Sequence, residues 1–254
     1  MELIYGINPL MEALKGETPD IQTLFIAGGR EGDNIWKIRQ LASAKGIPVL
    51  YRKRQELDRL VGNRFHQGVA GMRRHFRYAT VQEVLAHQPK GALGDLVVLL
   101  DGITDTQNLG ALIRTGHCLG VNGFIIPENR SASLTASVLK ASAGAMLHTP
   151  VAMVVNLART IDYLKEEGFW VYGADARGNS DPGIFDRVKK VALVMGSEGK
   201  GMHSLVRKKC DYLVSIPMKG KIDSLNVSVA AGIIIHNVVR LWNEKQSAER
   251  FTDQ

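Results

Sequence analysis

The sequence predicts an α/β protein in which a small α/β domain precedes a larger domain built on a mainly parallel sheet. From Asp95 onward, strand-like and helical runs alternate, and parallel strands need helical crossovers. A shorter alternation fills the first 74 residues, and Gln88-Pro89-Lys90-Gly91 is typical of a turn or linker. We therefore expect one domain at 1–74, a linker at 75–93, the larger domain at 94–246 and a tail at 247–254.

The elements of the small domain are predicted from apolar periodicity and from the residue types that end helices and strands. We expect helices at 9–15, 34–44 and 55–61, strands at 23–27, 48–52 and 68–72, and a turn at Gly28-Gly29. A short helical patch at 81–86 falls within the linker.

The larger domain contains six strand-like runs separated by helical runs. The strands are expected at 96–100, 123–126, 150–154, 170–174, 191–195 and 212–216, and the helices at 109–119, 135–143, 157–167, 202–209 and from about Leu225 to about Lys245. Open sheets of this class bind ligands beyond the carboxyl ends of their strands. Residues that directly follow strands are therefore the candidates for function.

The composition is that of a globular protein with a basic surface. Of the 254 residues, 45% are hydrophobic and 22% are charged, and the formal net charge is +7. Basic clusters occur at 52–54 and 73–77. An excess of positive charge attracts polyanions, but it does not distinguish RNA from DNA or an acidic membrane.

The two cysteines, Cys118 and Cys210, stand apart from any CxxC or metal-ligand spacing. A disulfide or a zinc site is therefore not expected, which fits a reducing compartment. The first residues lack the pattern of a signal peptide, and the longest apolar runs fall short of a bilayer span. We expect a soluble cytoplasmic protein.

Three segments follow predicted strands and carry polar side chains. In the first, 101–115, Asn108 occupies the expected N-cap of a helix, and Arg114 lies off that helix's apolar stripe. In the second, 193–202, three glycines surround Glu198, with a spacing that matches neither the dinucleotide fingerprint nor the P-loop. Each segment alone is also explained by capping or by solvation.

The third segment, 216–232, joins a strand to a long helix that is apolar on nearly every face. Asp223 or Ser224 is expected to cap this helix, while Asn226 and Ser228 place polar groups in its first turn. Exposed amides at such a position can hold an anionic group.

Taken together, the three segments resemble the motifs of the SpoU-type (TrmH/RlmB-like) RNA 2′-O-ribose methyltransferases. The opening residues 4–14 resemble the start of the family's N-terminal RNA-binding domain, so the resemblance covers nearly the whole chain. Within the family the sequence is most similar to the RlmB-like group, which methylates a guanosine in 23S ribosomal RNA. The resemblance implies a SPOUT-type α/β domain with a deep trefoil knot, a small L30e-like RNA substrate-binding domain at 1–74, and a homodimer.

The resemblance also implies the site. It assigns catalytic positions to five residues: Asn108, Arg114, Glu198, Ser224 and Asn226. It places S-adenosyl-L-methionine against five more, Met195, Gly196, Ile216, Met218 and Leu225, and requires no metal. The family usually has Asp-Pro before its first motif Asn, whereas here Asp105 precedes Thr106, which removes some rigidity from the turn.

The implied reaction needs a ribose hydroxyl in line with the methyl group, and it needs help in losing the hydroxyl proton. Family proposals make Arg114 the general base, but a guanidinium stays protonated in proteins. Our hypothesis is that Arg114 clamps the phosphate beside the target ribose and that Glu198 orients Arg114. Asn108, Ser224 and Asn226 would then position the hydroxyl.

Three other interpretations remain open at this stage. The chain could be a non-catalytic RNA-binding scaffold, although that leaves its five polar motif residues unexplained. It could be a SpoU-type enzyme that acts on tRNA, although the simplest of these lack an N-terminal domain. An NAD-dependent oxidoreductase is remote, because its phosphate-binding loop is missing.

Overall fold

The computed structural model describes residues 2–16, 21–73, 76–178, 185, 188–221 and 224–252. Asp223, one of the two residues expected to cap the last helix, lies outside the described residues. Contacts divide the chain into two compact units, Met1–Arg77 with Ser133–His148 and Tyr78–Ala132 with Thr149–Gln254.

This division differs from the predicted domains in three respects. Residues 78–93, which we expected in a linker, belong to the second unit, and Val84 of its helix Val81–Ala86 is fully buried. Residues 133–148, expected in the larger domain, group instead with the first unit. The predicted tail at 247–254 begins as helix, because the last helix continues to Thr252.

The first unit is built on a four-stranded sheet with strand order β1-β4-β2-β3. Strand β4 pairs antiparallel with β1 and β2, whereas β2 and β3 are parallel. The chain order of its elements is β1 (Glu2–Tyr5), α1 (Ile7–Lys15), β2 (Ile21–Ala27), α2 (Asp33–Ala44), β3 (Val49–Arg52), α3 (Arg54–Val61), β4 (Val69–Arg73) and, after the first part of the second unit, α6 (Ala136–Ala141) with a 3-10 turn at Ala145–Leu147.

Amphipathic helices cover this sheet and complete its core. Leu10 and Leu14 of α1, Ile38 of α2 and Leu57 of α3 are fully buried, as the 3.6-residue period of apolar positions predicts. Strand β1 was not predicted from the sequence.

The second unit is built on a six-stranded parallel sheet with strand order β10-β8-β9-β5-β6-β7. Its elements in chain order are α4 (Val81–Ala86), β5 (Asp95–Asp101), α5 (Thr106–Cys118), β6 (Gly123–Pro127), β7 (Val151–Val154), α7 (Leu157–Glu166), β8 (Trp170–Ala174), β9 (Lys190–Gly196), α8 (Ser204–Lys209), β10 (Tyr212–Val214) and α9 (Val227–Thr252).

The strand order places a topological switch beside β5. The chain adds β6 and β7 on one side of β5 and builds β8, β9 and β10 on the other, so β5 and β9 are neighbours in the middle of the sheet. Ligands bind at such switch points, beyond the carboxyl ends of the strands. The register pairs Asp101 with Gly196, so the residues that follow these two strands emerge at the same edge.

Continuous apolar runs explain why β5 and β9 lie in the middle of the sheet. Residues 96–100 of β5 and 191–194 of β9 are fully buried, as expected for parallel strands covered on both faces. Among the described residues, no helix combines the length and the apolar character needed to cross a bilayer.

Candidate active site

The polar residues of the three predicted segments meet at the carboxyl ends of β5 and β9. Asn108 lies in the first turn of α5, Glu198 lies in the loop after β9, and Asn226 directly precedes α9. Direct hydrogen bonds join all three side chains, although Asn108 and Asn226 are 118 positions apart in the chain. The convergence expected from the sequence is therefore observed for these three residues.

Asn108 does not cap its helix, contrary to the sequence prediction. Helix α5 begins at Thr106, and its N-cap is Asp105, whose carboxylate accepts a hydrogen bond from the Gln107 amide at 2.7 Å. Because Asp105 already provides the cap, the Asn108 side chain is free to bind elsewhere. Its Nδ2 donates to Glu198 Oε1 at 3.1 Å.

The loop that carries Glu198 is a tight turn closed by backbone hydrogen bonds. Ser197 and Gly201 exchange N–H···O bonds of 3.1 and 2.9 Å. At Gly196 an added Cβ would lie 2.3 Å from backbone atoms of Gly201 and Met202, a distance no side chain tolerates. Gly199 and Gly201 have positive φ angles of 81° and 66°. The glycines thus allow the turn to fold back against the end of β9 and present Glu198 to solvent.

Asn226 caps the last helix, so the expectation that Ser224 would do so is wrong. The Asn226 Oδ1 accepts from the Ser228 amide at 2.9 Å and from the Ser228 hydroxyl at 2.5 Å. The helix therefore begins at Val227 rather than near Leu225. Ser224 lies two residues outside the cap and is exposed.

Glu198 holds the two asparagines and the start of α9 with one oxygen. Its Oε1 accepts from Asn226 Nδ2 at 2.7 Å, from Asn108 Nδ2 at 3.1 Å and from the Val227 amide at 3.2 Å. Asn226 Nδ2 also donates to Asn108 Oδ1 at 2.9 Å. Asn226 thereby uses both of its amide hydrogens, while Asn108 keeps one hydrogen uncommitted within the described part of the chain.

Arg114 is not held by Glu198, contrary to our hypothesis. Arg114 is exposed on α5 and has no hydrogen-bond or ion-pair partner among the described residues. Six helical positions separate it from Asn108, which turns it about 120° around the helix axis. Its guanidinium charge is therefore available to an anion from outside the chain.

The five residues expected around the cofactor are accessible to different extents. Met195 is buried at the end of β9 next to Gly196, Ile216 and Met218 are half-buried after β10, and Leu225 is 38% exposed beside Asn226. Ligand sites are mainly apolar with a few placed polar groups, and partly open apolar side chains can contact a flat heterocycle.

A second polar cluster at the same sheet edge was missed by the sequence analysis. The buried carboxylate of Asp101 accepts from the His203 amide at 2.7 Å and pairs with His203 Nδ1 at 2.8 Å. The other ring nitrogen of His203 lies 3.2 Å from the guanidinium of Arg130. Asp101 therefore fixes the start of α8 and the ring tautomer that accepts from Arg130. An Asp at the end of a buried strand was the only local signal.

Candidate metal ligands do not gather in the part of the chain that the structure describes, where no group of three or more His, Cys, Asp or Glu side chains could hold an ion. The network at Glu198 consists of one carboxylate, two amides and a backbone N–H, which is a hydrogen-bonding set.

Two family models together cover both parts of the chain. The model described as the SpoU rRNA Methylase family matches residues 95–236, more than half of the chain. The chain belongs to this family. A second model, described as RNA 2′-O ribose methyltransferase substrate binding, matches residues 3–79. By family, this SpoU protein is an RNA methyltransferase with an N-terminal substrate-binding domain, which confirms the predicted fold class and enzyme class.

Known proteins similar to this SpoU chain agree with that assignment. It is 39% identical over 242 residues to the putative TrmH family tRNA/rRNA methyltransferase YacO of Bacillus subtilis, covering 95% of this chain and 96% of that protein. The crystal structure of the SpoU methyltransferase AviRb from Streptomyces viridochromogenes with AdoMet has the same fold. Its TM-score is 0.78 at 24% identity, with 94% of this chain and 89% of that chain covered.

A second similar structure matches less of the chain. The TrmH/SpoU tRNA modifying enzyme of A. aeolicus is 28% identical with a TM-score of 0.55, and the match covers 65% of this chain and 82% of that enzyme. That is about the share of this chain that lies from residue 95 onward.

Proposed function

We propose that this SpoU protein transfers the methyl group of S-adenosylmethionine to a ribose 2′-hydroxyl in ribosomal RNA, with a guanosine of 23S rRNA as the target. The observation that carries this proposal is the hydrogen-bonded cluster of Asn108, Glu198 and Asn226 beside the Gly196 turn. The AviRb structure with AdoMet supports the choice of cofactor. The cofactor, when bound, supplies a methyl group on a sulfonium.

The cluster can position a hydroxyl without a metal. Glu198 Oε1 is occupied by three donors, whereas its Oε2 has no partner among the described residues. We assign Oε2 and the uncommitted amide hydrogen of Asn108 to the ribose hydroxyl, one accepting its hydrogen and the other donating to its oxygen. Asn226 keeps Asn108 and Glu198 in place, and the exposed Ser224 contacts the same nucleotide.

Arg114 is assigned to the phosphate next to the target ribose. A guanidinium without a carboxylate partner binds phosphate through two parallel N–H···O bonds, which also offsets negative charge that develops on the ribose oxygen. Lysine supplies the same charge without the fork geometry. We expect Arg114→Lys to regain little of the activity lost in Arg114→Ala, measured as methyl transfer at saturating RNA.

Ribosomal RNA is favoured over tRNA by the extent of the matches. The tRNA modifying enzyme of A. aeolicus matches only part of this chain, whereas the rRNA methyltransferase from Sinorhizobium meliloti matches 94% of it. An enzyme that carries an extra substrate-binding domain is suited to a larger RNA. The name of the B. subtilis relative includes both substrates, so tRNA remains the second candidate.

We further propose a homodimer that packs through α9. Val229 and Ile233 expose 49% and 44% of their surfaces, and they line an open groove between α9 and α5 together with Thr115 and His236. Exposed branched apolar side chains on a long helix are typical of subunit interfaces. Replacing Ile233 with Glu is expected to give a monomer in analytical ultracentrifugation, and an unchanged dimer mass would contradict this interface.

We also propose that the second unit contains a trefoil knot. Strand β10 lies at one edge of the sheet, yet Asn226, twelve residues later, bonds to residues that follow the central strands β5 and β9. A return of the chain across neighbouring loops supports a threaded path.

Two free thiols, Cys118 and Cys210, support a reducing location such as the cytoplasm.

The function is tested with S-adenosylmethionine labelled on its methyl group and 23S rRNA from cells that lack this protein. We expect label at one guanosine as a 2′-O-methyl group, little label with Asn108→Ala, and full label with the control Gln107→Ala, a neighbouring exposed residue on the same helix. Label on a base nitrogen, or on tRNA alone, would contradict the assignment.

A further inference from the structure

An aromatic and basic surface lies on the first unit and includes none of the residues assigned above. It is formed by Trp36 and Arg39 on α2 and by Tyr51 on β3, and we call these three residues the aromatic-basic patch. Trp36 is 61% exposed and Tyr51 is 52% exposed. The Arg39 guanidinium lies 5.8 Å from the centre of the Tyr51 ring, which joins the helix to the strand at this surface.

Packing of the unit does not account for the two exposed rings. Helix α2 turns Ile35, Ile38 and Ala42 into the core, and Trp36 lies on the opposite side of the helix. Among the described residues β3 pairs with β2 alone, so its outer edge has no strand partner there. A tryptophan loses most of its favourable burial energy when it is left in water, so its exposure points to a binding role.

Positive charge lies beside the Tyr51 ring. Arg39 contacts this ring, and within the described part of the chain Arg39 forms no ion pair with a carboxylate. Cations that are not neutralised by the protein attract a polyanion. A partner with negative charge and flat faces therefore fits the patch better than an apolar protein surface does.

We propose that the aromatic-basic patch binds unpaired nucleotides of the substrate RNA, with bases stacked on Trp36 and Tyr51 and a backbone phosphate held by Arg39. In a duplex the base faces are covered by neighbouring pairs, so only single-stranded loops or ends can stack in this way. The inference rests on the proposed function, since it takes RNA as the substrate. It adds that recognition by the first unit requires unpaired bases.

The test measures binding of a fluorescent 12-nucleotide RNA without self-complementarity and of the same RNA annealed to its complement. The full-length protein is expected to bind the single strand more tightly. Trp36→Ala and Tyr51→Ala should each weaken binding of the single strand about fivefold to a hundredfold, the value of one base stacked on an aromatic ring. They should change duplex binding much less. Trp36→Phe should restore most of the affinity, because it keeps a ring.

The matched control is Trp170→Ala, since Trp170 is 45% exposed but belongs to the second unit, at the amino end of β8. This variant should bind both RNAs as the wild type does. Arg39→Gln should lower the slope of log affinity against log salt by about 0.7, whereas Trp36→Ala should leave that slope unchanged. Circular dichroism confirms that each variant is folded.

Equal losses for single strand and duplex in Trp36→Ala would overturn the proposal, as would wild-type binding by both alanine variants. Patch-dependent binding to vesicles of phosphatidylserine, without patch-dependent RNA binding, would assign the surface to a membrane instead. The proposed function fails separately. If the wild type labels no RNA but Trp36→Ala still loses single-strand binding, the patch is confirmed and the methylation target is wrong.

Discussion

Asn226 serves both the stability of α9 and the geometry of the candidate active site, and two substitutions separate these roles. Asn226→Ala removes the oxygen that caps the helix and the amide hydrogens that bind Glu198 and Asn108. Loss of an N-cap costs about 1 kcal/mol, within a range of about 0.5–2. The cluster is exposed, so water replaces the two lost side-chain hydrogen bonds at small cost. We expect a melting temperature about 2–4 °C lower.

Asn226→Asp keeps the cap and damages only the cluster. A carboxylate still accepts from the Ser228 amide and is favourable at the positive end of the helix dipole. In place of the donor, however, it puts an oxygen anion about 2.7 Å from Glu198 Oε1. Two unit charges at that distance repel by about 1.5 kcal/mol even in bulk water, so Glu198 must turn away from Asn108.

The assay combines thermal unfolding by circular dichroism with methyl transfer to ribosomal RNA. Both variants should lose most of their activity, and Asn226→Asp should melt closer to the wild type than Asn226→Ala does. An unchanged melting temperature in Asn226→Ala would show that Asn226 does not cap α9. Wild-type turnover by Asn226→Asp would show that the bonds to Glu198 and Asn108 are not needed.

Three further outcomes are expected. Gly196→Ala should disrupt the turn after β9, because the added Cβ would lie 2.3 Å from backbone atoms. Calorimetry should then show weaker binding of S-adenosylmethionine, and an affinity within twofold of the wild type would refute this. Asp101→Asn should lower the free energy of unfolding by about 1–3 kcal/mol, measured in urea. Each carboxylate oxygen of Asp101 accepts one bond from His203, whereas an amide has only one oxygen to accept them. An unchanged urea midpoint would contradict this. Burial raises the pKa of the Cys210 thiol to about 12, so iodoacetamide at pH 8 should modify only the exposed Cys118 in the folded protein. Mass spectrometry detects the modified residue, and modification of both cysteines in the folded protein would contradict the burial of Cys210.

Much of the fold could be predicted because its signals are local. Buried parallel strands are continuous apolar runs, and β5, β6 and β9 were located to within one residue at each end. Strand β1 was not predicted because its four residues carry little periodicity and its partner β4 lies about 70 positions away. The grouping of 133–148 with the first unit was not predicted for the same reason, since contacts between distant positions leave no local sequence pattern.

The structure brings together three of the predicted site residues, Asn108, Glu198 and Asn226, but not in the pairing that the sequence predicted. Sequence reasoning paired Glu198 with Arg114, whereas helical geometry turns Arg114 away and brings Asn108 to Glu198. Helix boundaries predicted from sequence are uncertain by about two to four residues, which is enough to give the cap of α5 to Asn108 instead of Asp105. The pairing of Asp101 with His203 joins residues that are 102 positions apart, and no sequence motif predicts it.

The grouping of 133–148 with the N-terminal unit limits how this protein can be cut or recombined. In that unit Val138 and Leu139 are fully buried, the Lys140 ammonium lies 5.1 Å from the Tyr5 ring centre, and His148 Nε2 lies 3.0 Å from a Glu12 carboxylate oxygen. A fragment that stops at residue 79 would lose all of these partners. A chimaera that exchanges the recognition module between homologues must therefore transplant two separate stretches of sequence, and a single crossover near residue 80 should yield insoluble protein.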